Sequence, residues 1–302
     1  MLVSGHIETL LKYGDYKNAI KSMKEAGFPA FDLSINPKPW PLPESFFIRT
    51  KTFKEILAET KDDREWVSVE LAKELRKYAD EIGIVCNQTH APYPTAWVGD
   101  EPYNEDVFKL LVESLEITAI MGAKVCVLHP CNDYTPKENV ENVYIKLLPY
   151  AKKFGVLVGV ENMWNWDRVR NIALPAACSS AENFKAHMDL LPEEYFCACV
   201  DTGHAEMGGL ATSAYDMIKT LGKRVKALHI HDNDLFNDDH ALPYLGKIDF
   251  EKIYQALNEI GYDGDVTFEV GNFLSSFPDE LYMEALKFMA KVGEYIKSRL
   301  CK

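Results

Sequence analysis

Eight short apolar runs recur along the chain, separated by stretches whose apolar positions return every three or four residues. The runs are LVSGHI (2–7), AFDLSI (30–35), IVCNQTH (84–90), KVCVLHP (124–130), VLVGVEN (156–162), FCACVDTGH (196–204), KALHIHD (226–232) and DVTFEV (265–270). Their composition predicts strands, and the alternation with amphipathic stretches predicts βαβ units and a parallel sheet. In the intervening stretches Val107, Leu111 and Leu115 return every four residues, and Leu281, Ala285, Phe288, Val292 and Tyr295 form one stripe. Capping-box patterns at Ser179 with Glu182 and at Ser213 with Asp216 mark helix starts. Gly27, Gly83, Gly122 and Gly155 stand just before strands, where a left-handed C-cap fits.

Eight β/α units in 302 residues predict a closed (β/α)8 TIM barrel of the α/β class, forming a single domain over 1–302. A doubly wound open sheet is the alternative. The longest insertion, 36–63, is rich in Pro and aromatic residues and is expected to fold over the barrel mouth as loop or short helices.

Composition narrows the function classes. The chain is 47% hydrophobic and 26% charged, and no apolar run approaches the roughly 20 residues that span a bilayer. The start, MLVSGHIETL, lacks the basic and apolar segments of a signal peptide, so a cytoplasmic location without membrane contact is expected. Seven cysteines are an odd number for a disulfide framework, and Cys86, Cys126, Cys197 and Cys199 lie inside apolar runs. They read as reduced core thiols. Cys197 and Cys199 have no second pair nearby, so packing is preferred over metal binding. A net charge of −13 argues against a nucleic-acid or anionic-membrane partner, because both need a basic face. A homo-oligomer is compatible with the composition.

The chemistry gathers at the strand ends. His90, His129, Glu161, Asp201 with His204, His229 with His231, and Glu269 all fall at or near the C-terminal ends of six runs. Residues i and i+2 of a strand share a face, so His229 and His231 are expected to point into one space. A single buried carboxylate or imidazole is commonly a satisfied structural group. Six successive strand ends converging on one mouth would be costly unless paired or bound to a cation, so together they predict a metal site.

HAPY (90–93), LHP (128–130), VEN (160–162), VDTGH (200–204), LHIHDND (228–234), His240 and FEV (268–270) resemble the xylose-isomerase-like barrel superfamily over nearly the whole chain. That superfamily holds sugar isomerases and epimerases and also the apurinic-site endonucleases. In the epimerase branch one divalent metal is held by Glu, Asp, His and Glu, which the resemblance places at Glu161, Asp201, His229 and Glu269. His229 is chosen over His231 because the family's ligand is followed three residues on by an acid, here Asp232; His231 has Asp234 at that spacing. The resemblance gives His204 and Asp167 contacts to substrate hydroxyls. It makes Glu161 and Glu269 the acid/base pair. The Arg that follows the metal His in some keto-sugar epimerases is absent, since position 235 is Leu. The endonuclease branch binds three zinc ions, and His90, His129, His204, Asp238 and His240 stand at comparable places. Many sugar-acting members keep these histidines to bind hydroxyls.

Other residues are plainer. Trp164 and Trp166 are placed to stack on a sugar face or to pack within a loop. His231 and His240 are expected beside the substrate. His6 reads equally as pocket lining or core, and His187 reads as surface. Arg168, Arg170 and Lys247 read as solvated charges, and LGKID (245–249) lacks phosphate-loop spacing.

The expectation is therefore a metal-dependent isomerase or epimerase of a keto-sugar or sugar derivative, working by proton transfer through an ene-diolate. One divalent metal is expected. Three carboxylates and an imidazole suit Mn2+, Mg2+ or Co2+, and further histidines favour Zn2+. The alternatives are a zinc-dependent endonuclease-like hydrolase, an inosose-type dehydratase, or a metal-binding protein without catalysis.

Overall fold

The structure, a computed structural model, describes residues 1–35 and 67–300. The insertion expected over the mouth, 36–63, lies outside the described residues. Ten strands follow in chain order: β1 (Val3–Gly5), β2 (Ala30–Ser34), β3 (Val85–His90), β4 (Val125–Leu128), β5 (Leu157–Glu161), β6 (Asn165–Asp167), β7 (Ile172–Leu174), β8 (Phe196–Asp201), β9 (Val225–His229) and β10 (Val266–Phe268). The eight expected runs each supply one parallel strand. β6 and β7 form an antiparallel hairpin that the sequence reading did not anticipate.

The parallel strands close into a ring. β2, β3, β4, β5, β8 and β9 hydrogen-bond in that order, and β1 pairs with β10. Single bridges join the two sets, His6 opposite Asp32 and Ile230 opposite Phe268. The Ile7 N–H donates to the Asp32 carbonyl at 3.1 Å, and the Ile230 N–H to that of Thr267 at 2.8 Å. A closed ring has no free edge, so the open-sheet alternative falls away.

Among the described residues, eight α-helices of eight residues or more surround it: α1 (Tyr16–Ala26), α2 (Val69–Ile82), α3 (Glu101–Met121), α4 (Ile145–Phe154), α5 (Ala181–Asp189), α6 (Ala214–Leu221), α7 (Phe250–Ile260) and α8 (Tyr282–Leu300). α1, α2 and α3 start where Asp15, Ser68 and Asp100 accept an amide from the third residue on. Gly27, Gly83, Gly122 and Gly155 end four helices in the left-handed conformation, as expected. Ser213 caps α6 through the Asp216 amide, also as expected. The cap of α5 is a correction: Ser180 accepts from Asn183, while Ser179 bonds the backbone of Ala176.

Two further expectations change. On α8 only Ala285 and Val292 of the expected stripe are buried, whereas Leu281, Phe288 and Tyr295 are about half exposed. The buried row runs through Leu286, Met289, Ile296 and Leu300 instead. Gly293 sets that rotation by close approach, since a Cβ there would meet Val3 Cγ1 at 2.2 Å. His187 is fully buried rather than on the surface. Its Nδ1 donates to the Asn183 carbonyl at 2.8 Å, and Asn139 Nδ2 donates to its Nε2 at 3.2 Å. Cys197 and Cys199 pack with Val125, Val127 and Ala227, as expected of core thiols. Among the described residues no helix is long and apolar enough to cross a membrane.

Candidate metal centre

Parallel strands deliver their last residues to one face. Glu161 ends β5, Asp201 ends β8, His229 ends β9, and Glu269 follows β10. Asp201 and His229 are partners in the β8–β9 register. His229 Nδ1 lies 2.8 Å from Glu161 Oε1 and 3.1 Å from Glu269 Oε2. One donor atom from each of Glu161, Asp201, His229 and Glu269 falls within 4.8 Å of the others. The structure thus brings the expected quartet together. Asn162 ties β5 to β8, with Nδ2 donating to the Asp201 carbonyl and Oδ1 accepting the Asp201 N–H.

Two more groups adjoin the quartet. His90 Nε2 and His129 Nε2 lie 3.3 and 3.0 Å from Glu161 Oε2. His204, His231, Asp238 and His240 also offer donor atoms within 4.8 Å of one another. Asp238 Oδ2 is 3.5 Å from His204 Nε2 and 3.1 Å from His240 Nε2. Three of the rings are held through the same nitrogen. Nδ1 of His90, His204 and His240 meets the carbonyls of Ala91, Asn162 and Glu269 at 2.8–2.9 Å, and each Nε2 faces the centre. Metal-binding histidines are ordinarily held in this way, by the nitrogen that does not face the metal.

The charges are interlocked. Burial works to raise the pKa of Glu161, but the charges of His229 and His129 and their hydrogen bonds hold it well below the carboxylate range. Burial and then His229 act likewise on Glu269, which is also held well below. Asp238 follows the same balance against His240 and His204. Burial pulls His229 down, yet it rises well above 6.5. Cys199 would contribute only as a thiolate, which its own burial prevents near neutrality, so Glu161 and Glu269 carry the rise. His90 and His129 touch one carboxylate oxygen, with their Nε2 atoms 3.1 Å apart, so both cannot be charged together. His90 is raised and His129 lowered.

The donor set fits a cation. Among the described residues, Asp201 Oδ2 and Asp238 Oδ1 are buried carboxylate oxygens without a hydrogen-bond partner. Such atoms are costly unless something binds them.

Other expected residues sit differently. Asp167 turns into the β6–β7 hairpin, where Oδ1 accepts the N–H groups of Val169 and Arg170 at 2.9 and 3.0 Å. The structure does not bring it into the cluster; it holds the turn. Arg168 and Arg170 are exposed on that turn, and Lys247 is exposed elsewhere. Trp164 packs with Trp166 against Ala173, Met207 and Leu210, and its ring centre is 6.3 Å from that of His204. His231 is fully buried with Nε2 3.0 Å from Asp201 Oδ1 and 3.5 Å from Asp238 Oδ1, so it braces a quartet member.

The reading from sequence missed Tyr93, whose ring lies edge-on to His129 at 4.7 Å. It also gave Asp232 no role beyond marking His229. Asp232 is fully buried and accepts four backbone N–H groups, from Asn233, Tyr244, Gly246 and Ile248, at 2.8–3.0 Å. It therefore shapes the loop that carries Asp238 and His240. Within that loop Leu235, His240 and Tyr244 have φ of 70°, 43° and 77°, a conformation that side chains resist.

Known proteins resemble this chain in sequence or in fold. An uncharacterized protein of Methanocaldococcus jannaschii is 28% identical over 222 residues, covering 68% of this chain and 72% of that protein. A D-tagatose 3-epimerase-like protein superposes with a TM-score of 0.70 at 17% identity, over 100% of both chains. The IolI protein with a bound zinc atom superposes with a TM-score of 0.68 at 16% identity, over 99% of this chain and 98% of that one. The model of the xylose isomerase-like TIM barrel family matches residues 20–292, nearly the whole ring of strands and helices. The chain belongs to the xylose isomerase-like TIM barrel family.

Proposed function

We propose that this protein is a divalent-metal-dependent isomerase or epimerase of a small carbohydrate, a keto-sugar or sugar derivative. One observation carries the reading: the carboxylates of Glu161 and Glu269, from strands on different sides of β9, meet at a single imidazole nitrogen, His229 Nδ1. A divalent cation held by Glu161, Asp201, His229 and Glu269 would polarise a substrate carbonyl and offset the charge of an ene-diolate. Glu269 keeps 20% of its side chain exposed at the mouth and takes the proton from the carbon beside the carbonyl. Glu161 returns it, and the His129 and His90 imidazoles on its Oε2 adjust its basicity.

His129, Asp238 and His240 retain 14%, 18% and 23% side-chain exposure and bind substrate hydroxyls. His204 lies deeper and orients Asp238, and Trp164 walls the side near His204. The 3-epimerase named among similar structures supports the substrate class, and the zinc of the IolI protein supports a metal at this mouth.

The test is turnover of a keto-sugar panel in heavy water, with metal removed and restored. Metal-dependent deuterium entry at the carbon beside the carbonyl is expected. Full turnover after chelation, or epimerisation without exchange, would sink the reading.

The ring orientations of His90, His204 and His240 favour a second reading, a multinuclear hydrolase of the endonuclease type. Three firmly held zinc ions together with incision of an abasic duplex would establish it. One metal and sugar turnover would exclude it.

A further inference from the structure

Directly beneath the quartet the barrel interior is polar, where branched apolar side chains ordinarily fill such a layer. Ser4 on β1, Asp32 on β2, Gln88 on β3 and Thr267 on β10 are all buried there. They form one hydrogen-bonded chain. Ser4 Oγ donates to Thr267 Oγ1 at 2.9 Å, Thr267 Oγ1 to Gln88 Oε1 at 3.3 Å, and Gln88 Nε2 to Asp32 Oδ2 at 2.9 Å. Asn87 Nδ2 donates to the same threonine oxygen at 3.1 Å. The chain ends 3.4 Å from His229 Nε2, the ring nitrogen that faces away from Glu161 and Glu269.

The direction of this chain is fixed by its chemistry. Thr267 already accepts two donors, so its own proton goes to the Gln88 carbonyl, and the Gln88 NH2 must face Asp32. A carboxylate only accepts, so the hydrogen between Asp32 and His229 belongs to His229. We infer that Asp32 is a positioning residue for His229, keeping the proton on Nε2 so that Nδ1 presents its lone pair to the metal. Carboxylate–histidine–metal relays act in this manner elsewhere. Gln88 positions Asp32 in turn. The inference rests on the proposed metal centre.

The test uses the full chain, Co2+ and Zn2+ alone as probes, a chromogenic chelator as competitor, and 15N-histidine spectra of the Zn2+-loaded protein. Asp32→Leu keeps roughly the volume and removes Oδ2, the one acceptor that Gln88 Nε2 and His229 Nε2 share. Metal affinity should fall about 10–100-fold.

Asp32→Asn is the conservative rescue, because its amide oxygen can stand where Oδ2 does and accept from both donors, with its NH2 at the unpartnered Oδ1 position. Recovery of most of the lost affinity is expected, with the Nε2–H signal restored; a purely structural role would show no such rescue. If Asp32→Leu does not fold, Gln88→Leu removes the anchor and leaves the carboxylate, and several-fold weaker binding is expected. Native affinity in Asp32→Leu, native affinity in Gln88→Leu, or a Zn2+ complex with His229 protonated at Nδ1 overturns the inference. Native protein that binds neither metal overturns the metal centre and this inference together.

Discussion

Removing the Asp232 carboxylate should loosen the loop that brings Asp238 and His240 to the mouth. Four amides lose their acceptor in Asp232→Ala. Those of Tyr244 and Gly246 belong to exposed residues and can turn to water, whereas Asn233 and Ile248 are buried. A buried amide left without an acceptor costs about 1–3 kcal/mol, so the two together cost ~4 kcal/mol. With an unfolding entropy of about 2.1 cal/mol/K per residue, the whole chain has roughly 0.6 kcal/mol/K, and the melting temperature should drop by ~6 °C. Asp232→Asn can keep its amide oxygen at the Oδ1 position, where both buried amides meet it, and should lose much less. Once released, Leu235, His240 and Tyr244 can leave their positive φ values, so the loop should also become a site of proteolytic cleavage. Thermal unfolding followed by circular dichroism, with limited proteolysis beside it, checks both effects. An Asp232→Ala protein that melts with the native one and resists protease would refute the role given to this carboxylate.

Four other outcomes are expected. Glu269→Gln should lower turnover by well over 10²-fold, because it removes a proton carrier and weakens a metal donor; a fully active variant with metal still bound would rule out the assignment. His204→Ala should raise KM or alter sugar preference without emptying the quartet, checked by kinetics and elemental analysis; loss of all metal would make His204 a ligand. In the metal-free protein burial pulls His240 down, but the charge of Asp238 and its hydrogen bond push it up to about 10. That contribution is complete below the unfolded value of about 6.5 and is lost as pH rises through about 10, while the depressed carboxylates lose theirs on acidification below about 4. Metal-free melting temperature should thus fall from pH 7 to 10, whereas metal affinity should climb as protons cease to compete; a melting temperature that rises over that range contradicts the His240–Asp238 pair. Finally, 46 acidic against 33 basic side chains predict no binding to an abasic duplex at physiological salt, and titration showing a steep salt-dependent affinity would overturn this.

Strand ends were legible from sequence because six of the eight β-type runs carry, at or near their ends, a polar residue that burial would otherwise penalise. The hairpin was not: β6 and β7 have three residues each, too few for a period of two to show. Asp167 consequently looked like a residue of the mouth when it governs a turn. Asp32 lies inside an apolar run and was given no role. A lone carboxylate in such a run is itself a signal, since full burial requires partners. His187 was misjudged because a polar residue on a helix suggests solvent, and its partner Asn139 lies far away in sequence. Asp238 and His240 were visible as residues, but the fold of their loop depends on four amides reaching one carboxylate, which no local pattern encodes.

Gly203 sits between Asp201 and His204 in the turn after β8, and a Cβ there would meet the His231 ring at 1.9 Å. The imidazole occupies the space a side chain at 203 would need. Any lineage that replaces Gly203 must therefore shrink or move His231 in the same step, and the partner of Asp201 changes with it. A library that diversifies this mouth should vary 203 and 231 jointly, because single changes at 203 will be lost to misfolding before any new substrate is sampled.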